Sequence, residues 1–350
     1  MAWKNTINFM RRPLSEKPIV FYSANGSYKN YLEPVILYLV NELKCTIHYV
    51  TSDPNDPWLK TAGANFETHF VGQGSALITF YQFLNCGILI TTTPDLEILN
   101  LRRSFNPVHY LYIHHSMVSS HMIYRTTAFD HFDSILCVGP HHIKEIRQWE
   151  KLKKLPKKGL YQHGYGPLDS IIEESKNTKG PSLSKQGAHR ILLAPSWGKE
   201  GILERGADRL VRAILDAGYH LTVRPHPQSR KLSSGTLDSL KQTFSNHINF
   251  IWEEDIRSHA SFHAAHVMIS DWSGAALEFS FGLGRPVLFI DVPRKVNNPE
   301  YLKIAFLPLE VSVREDIGMV IARDDTNGLI QALSEISSDY LHYRGRAVAA

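Results

Sequence analysis

The sequence predicts an α/β protein of two doubly wound domains whose parallel sheets face a cleft. Three observations predict it. Short apolar, β-rich runs recur along the 350 residues, helical apolar patterns alternate with them, and one polar stretch divides the series in two. Continuous apolar runs bounded by turn signals are what strands buried on both faces look like. Their alternation with helices is the βαβ pattern, and a chain of this length is expected to build two cores.

The first series opens with Ile19–Ser23 (IVFYS), followed by apolar residues at helical spacing over Tyr31–Leu43. Thr46–Val50, Gly87–Thr91, Val108–Ile113 and Ser134–Val138 continue it as further strands. The character then changes. Lys151–Lys158 (KLKKLPKK) is basic, and Ser175–Gln186 is polar without apolar period, which places the domain boundary at 180/181. Strands resume at Arg190–Ala194, with a helix whose Leu203, Ala207, Leu210 and Ile214 share one face. His220–Val223, a helix near Leu237–Phe244, Asn249–Trp252, Val267–Ser270 and Pro286–Ile290 complete a second Rossmann-like domain.

Composition narrows the class. Hydrophobic residues are 43% and charged residues 21%, ordinary usage for a folded protein. The net charge of +4 is too small to point to nucleic acid. No apolar run reaches bilayer length, and the N-terminal stretch lacks a signal-peptide core, so a cytoplasmic protein is expected. Cys45, Cys86 and Cys137 are odd in number, far apart and in apolar surroundings, and read as small core residues rather than a disulfide framework.

In doubly wound folds ligands bind beyond the carboxyl ends of the strands, so the residues there carry the chemistry. Val108–Ile113 runs into His114-His115-Ser116, and a histidine so placed suits general base work, although a lone one is more often structural. His220–Val223 runs into Arg224-Pro225-His226-Pro227, where the prolines stiffen the turn and Arg224 offers a fork for phosphate oxygens. Val267–Ser270 runs into Asp271-Trp272-Ser273-Gly274, then Glu278. A capped helix start with a glycine is an anion site, or simply an ordinary cap. There is no GxxxxGK[ST] run, and Ser23–Asn30 (SANGSYKN) is no GxGxxG turn.

Taken in order, LAPSW (Leu193–Trp197), RPHP (Arg224–Pro227), SDWSG (Ser270–Gly274) and RPVLFI (Arg285–Ile290) resemble the CDP-glycerol glycerophosphotransferase family, the polyol-phosphate transferases of teichoic-acid and capsule synthesis. Gly164–Asp169 (GYGPLD) is similar to that family's crossover element, and His115-Ser116 falls where members carry a His-Gly or His-Ser pair. The resemblance spans roughly residues 105–295. It implies a GT-B-like fold, with residues 1–180 on the acceptor side and 181–350 binding the donor. It further implies transfer of a polyol phosphate, glycerol phosphate first, from CDP-glycerol or CDP-ribitol to a hydroxyl of a polysaccharide or lipid-linked acceptor, releasing CMP. By position His115 resembles the catalytic base and His226 the second essential histidine. His114, Ser116, Arg224, Ser270, Asp271, Ser273, Gly274 and Glu278 fall at substrate-binding positions. Gly274 stands where members carry a second Ser, Gly198-Lys199 where they often carry Arg-Asp, and Glu278 where they often carry Asp; these departures bear on the donor's identity.

Phosphoryl transfer needs positioning and charge neutralisation more than covalent help. With no DxD near a strand end, neither a metal nor a cofactor is expected. His259, His263 and His266 would align on one helix face, read here as a partly exposed polar face rather than a metal site. His141-His142 reads as a structural helix start. The basic run and the N-terminal Trp3, Phe9 and Met10, interleaved with Lys4, Arg11 and Arg12, suggest peripheral contact with anionic membrane. Two other readings compete: a GT-B glycosyltransferase using a nucleotide sugar, and an inactive donor-binding subunit of a capsule assembly complex.

Overall fold

The computed structural model describes residues 2–61, 63–98, 101–181, 189–205, 207–255 and 258–349. The chain divides into two compact units. One comprises Met1–Pro167 with Asn297–Ala305, the other Leu168–Val296 with Phe306–Ala350. The sequence placed the division at 180/181, next to residues 182–188, which lie outside the described set; the structural division falls inside the GYGPLD element.

The first unit is built on β1 (Ile19–Ser23), β2 (Ile47–Thr51), β3 (Phe66–Phe70), β4 (Ile88–Thr91), β5 (His109–Ile113), β6 (Ser134–Cys137) and β7 (Gly159–Gln162). They form one sheet in the order β3-β2-β1-β4-β5-β6-β7, and every neighbouring pair is parallel. Alternate residues enter different cores. Val20, Tyr22, Leu89, Tyr110, Tyr112 and Ile135 point to one face, and Phe21, Ile47, Tyr49, Ile90 and Ile113 to the other. Burial on both faces is why these strands read as continuous apolar runs. Each large side chain so buried contributes about 1.5–3 kcal/mol.

The second unit holds β8 (Arg190–Leu193), β9 (His220–Val223), β10 (Phe250–Trp252), β11 (Val267–Ser270), β12 (Val287–Asp291) and β13 (Gly318–Ala322). Their order is β10-β9-β8-β11-β12-β13, again parallel throughout. Both units are therefore Rossmann-like, with winding that reverses between β1 and β4 in one and between β8 and β11 in the other.

Three strands went unread. β3 (FETHF) alternates apolar with polar and lies at a sheet edge, and β7 (GLYQ) is the opposite, half-exposed edge. β13 (GMVIA) was overlooked although it is apolar. Cys86 and Cys137 are buried free thiols that burial pushes up to about 12, while Cys45 is half-buried. No described helix is long and apolar enough to cross a membrane.

Candidate active site

In the first unit the reversal brings the loops after β1 and β4 together, with the loop after β5 beside them. His115 sits there, half-buried. The Tyr112 hydroxyl lies 3.1 Å from its Nδ1 and the Tyr124 hydroxyl 3.4 Å from its Nε2. The rings of Tyr28 and Tyr31 pack at centroid distances of 5.4 and 6.0 Å. Burial pushes the imidazole down to about 4, against a backbone hydrogen bond at Thr92 that pulls the other way. The ring is therefore neutral near pH 7 and keeps one lone pair able to accept a proton.

His114 and Ser116 flank it differently from the expectation of substrate contact. His114 is 2% exposed and stacks on His142 at 3.8 Å, with Tyr112 and Phe129 against its edges. Both of its ring nitrogens lack partners, and burial holds its pKa well below the histidine range. It is floor, not contact surface. Ser116 Oγ accepts the Val118 N–H at 3.4 Å and so closes the turn.

The helix Pro140–Lys153 locks that loop in place. His141 donates to the Met117 carbonyl and His142 to the Val118 carbonyl, each at 2.9 Å. Glu145 accepts from Ser120 N–H and Oγ at 2.6 and 2.5 Å and pairs with His121 at 3.2 Å, all buried. The His141-His142 pair thus has the structural role read from its sequence. The basic run is partly folded inward as well. Lys153 pairs with Asp130 at 2.9 Å, and the buried Lys158 donates to the Asp130 carbonyl at 2.6 Å.

Sequence reasoning missed the loop after β4. Thr92 Oγ1, Thr93 Oγ1 and Asp95 Oδ1 are shielded atoms without hydrogen-bond partners. Asp95 also adopts φ 65°, a left-handed conformation uncommon outside glycine, and burial raises its carboxyl. Its φ had no sequence signal; the Thr91-Thr92-Thr93-Pro94-Asp95 run at a strand end did.

In the second unit four loops converge at the reversal: those after β8, β9, β11 and β12. His226 caps the helix Pro227–Leu232, and its Nδ1 accepts the Gln228 N–H at 3.1 Å. That bond fixes the tautomer, so the proton sits on Nε2 as a donor. Burial, with help from the nearby Lys295 charge, pushes the ring down to about 4. Lys295 was not singled out from sequence, because it follows β12 in a loop without a motif. Its Nζ lies 3.2 Å from the centroid of the Trp197 ring and 3.4 Å from the Trp197 carbonyl. Burial lowers it to about 8, opposed by the charges of Asp271 and Glu204.

Asp271 is buried, its Oδ1 accepting the Ser196 N–H at 2.7 Å, and desolvation raises its pKa. Ser273 caps the helix Gly274–Leu283, its Oγ accepting from Ala275 N–H at 3.3 Å. Gly274 opens that helix, and Glu278 lies one turn further along it, half-buried.

Two expected phosphate contacts have other partners. Ser270 Oγ donates to the Ala194 carbonyl at 2.8 Å, tying β11 to the end of β8 inside the core. Arg224 Nη1 bonds Glu253 at 3.1 Å, the Ser258 carbonyl at 2.8 Å and Ser261 Oγ at 3.1 Å, with its guanidinium over Phe262. The fork read as a phosphate ligand thus anchors the segment after β10. The three aligned histidines also separate. His259 and His263 both reach Glu174 at 3.1 Å, while His266 accepts from Arg190 N–H at 3.1 Å. His263 and His266 are buried, not an exposed polar face.

Two Rossmann-like units, each a parallel sheet with polar groups gathered where its winding reverses, make a fold of the GT-B-like kind. Comparison with solved structures bears this out. The wall teichoic acid polymerase TagF, in a histidine-to-asparagine variant soaked with CDPG, matches with TM-score 0.59 and 14% identity, covering 99% of this chain and 87% of that one. UDP-GlcNAc 2-epimerase from Neisseria meningitidis, bound to UDP-GlcNAc, matches with TM-score 0.59, 12% identity and coverage of 95% and 94%. A UDP-glucose:anthocyanidin 3-O-glucosyltransferase in complex with UDP matches with TM-score 0.54, 10% identity and coverage of 95% and 93%. No protein-family model and no curated protein sequence matches the chain. At such identities the likeness establishes the fold, and these three structures carry different chemistries on it.

Proposed function

We propose that this chain transfers a polyol phosphate, glycerol phosphate by preference, from a CDP-linked donor to a hydroxyl of a surface-polysaccharide or teichoic-acid-like acceptor, releasing CMP. The observation that carries the reading is the second unit's cluster at its winding reversal. A histidine with its proton held on Nε2, a partly buried lysine and a capped helix start lie together there. These are donors for a diphosphate. The ordered LAPSW, RPHP, SDWSG and RPVLFI motifs support the same assignment, as does the fold shared with TagF.

In this reading the diphosphate lies against the helix start at Ser273-Gly274, with His226 Nε2–H and Lys295 neutralising the oxygens on which charge builds as CMP departs. His115 takes the acceptor proton. Its ring is neutral in the empty protein, and negative charge arriving with substrate lifts its basicity toward the working range. Thr92, Thr93 and Asp95 offer buried oxygens to the acceptor's hydroxyls. No step in this account needs a metal or cofactor. The acceptor is expected to be polysaccharide or lipid-linked, at the inner face of the cytoplasmic membrane. Trp3 and Ile7, 47% and 41% exposed beside Lys4 and Arg11, are the residues to meet anionic lipid. Phe9 is not one of them, being buried against the sheet.

Product analysis tests the reading. Incubation with CDP-glycerol, CDP-ribitol and several UDP-sugars is expected to give CMP and a new phosphodiester from one CDP-polyol. Release of UDP with a new glycosidic bond would transfer the assignment to a glycosyltransferase. Binding of a CDP-polyol without turnover under any acceptor would favour an inactive donor-binding subunit.

A further inference from the structure

Far along the sheet from His115, at the β2–β3 edge of the first unit, lies a group of side chains that the proposed reaction does not use. His48 on β2 and Glu67 on β3 are register partners, and His69 is two residues along β3 on the same face. His48 Nδ1 and His69 Nε2 are 3.1 Å apart, and His69 Nε2 lies 3.9 Å from Glu67 Oε2. The three ligand atoms all fall within 4.8 Å of one another. Tetrahedral zinc with bonds of about 2.0–2.1 Å separates its ligand atoms by roughly 3.4 Å. The 3.1 and 3.9 Å spacings bracket that value.

The surroundings are those of a built site. His48 is buried, and its Nε2 donates to the Glu16 carbonyl at 2.7 Å, which leaves Nδ1 as a lone pair pointing at the other two groups. Glu67 Oε2 is held by Arg12 at 2.7 Å. A histidine ligand tied to a carbonyl and a carboxylate ligand tied to a donor are the outer contacts that orient metal ligands. The Phe9 ring covers both imidazoles at 5.4 and 4.7 Å, while the His69 and Glu67 side chains keep 14% and 42% of their surface. One side is thus apolar and closed, the other accessible to an ion and a completing water.

We propose that His48, Glu67 and His69 bind a divalent transition ion, zinc by ligand chemistry, and that the ion ties the segment around Arg12–Glu16 to the sheet edge. Without metal, His69 Nε2–H donates to His48 Nδ1. Binding shifts the His69 proton to Nδ1, so both facing nitrogens become ligands and the neutral ring releases no net proton. Two imidazoles and one carboxylate suit Zn²⁺, with Co²⁺ as its spectroscopic substitute.

The test is titration of the full chain, stripped by chelator, with Co²⁺ followed by Zn²⁺, read by visible absorption. One equivalent of Co²⁺ is expected to give a visible band that one equivalent of Zn²⁺ abolishes. His69→Gln should weaken Co²⁺ binding at least tenfold, and so should Glu67→Gln, a surface change that leaves the sheet intact. His263→Gln, in the histidine pair that shares Glu174, should leave the titration unchanged. Absence of the band in the unaltered protein overturns the proposal. So does a band that survives Glu67→Gln at full affinity, or one that disappears with His263→Gln instead.

Discussion

The Tyr112 hydroxyl stands 3.1 Å from Nδ1 of His115, on a ring wholly buried in the core of the first sheet. A phenol so enclosed cannot swing, so β5 itself sets the direction in which the imidazole points. Burial keeps that phenol well above its ordinary pKa, hence protonated. Tyr112→Phe is therefore expected to lower kcat by about 3–10-fold, the worth of one hydrogen bond, with KM for the donor unchanged. Steady-state kinetics on the two proteins checks this.

Lys295 adds a pH signature. Its pKa is lowered to about 8, so the ammonium is charged below that value and lost above it. Donor KM should rise as pH climbs from 7 to 9. Lys295→Met should show the raised KM, by about 10-fold or more for a lost charge-assisted contact, at every pH. A donor KM flat across this range would remove Lys295 from the phosphate site.

Ser270 separates a structural reading from a binding one. Its hydroxyl bridges β11 to the Ala194 carbonyl. Ser270→Ala should cost about 1 kcal/mol of stability in urea unfolding while donor KM stays within twofold. A large KM effect with unchanged stability would restore it to the donor site.

Acid stability follows from the buried imidazoles. His69, His115, His142 and His226 are each pushed down to about 4, and His114 is well below the histidine value of 6.5. Between about 4 and 6.5 the unfolded chain binds protons that the folded one refuses. Stability is thus fully present above 6.5 and falls as pH drops through that window. Going from pH 7.5 to 5 should lose at least about 2 kcal/mol, the share of a single such histidine, measured by urea midpoints.

The strands that carry the site were legible because each lies buried on both faces, so IVFYS, VHYLYI and VMIS advertise themselves as apolar runs. His220–Val223 and Val267–Ser270 match the structure residue for residue. The edges were not legible: FETHF and GLYQ lack that burial and so lack its signature. Sequence order placed His115, His226 and the Ser273 helix start at strand ends, where the structure also has them, since strand ends are local features. It did not foresee the partners of Arg224 and Ser270, since Glu253 and Ala194 lie just past the ends of other strands, and it passed over Lys295, brought near Trp197 only by the fold. Partnership across strands is a tertiary fact.

Release of CMP from a CDP-polyol, if this chain carries it out as proposed, depends on both His115 and His226. The most direct measurement is the rate of CMP release from CDP-glycerol by the unaltered protein, His115→Ala and His226→Ala, with circular dichroism confirming that the variants fold. Turnover is expected in the first and losses of at least about 100-fold in the other two, the scale of acid–base and electrostatic groups in transfer reactions. Turnover of CDP-glycerol that survives His115→Ala within threefold, or turnover of a UDP-sugar in place of any CDP-polyol, would contradict it.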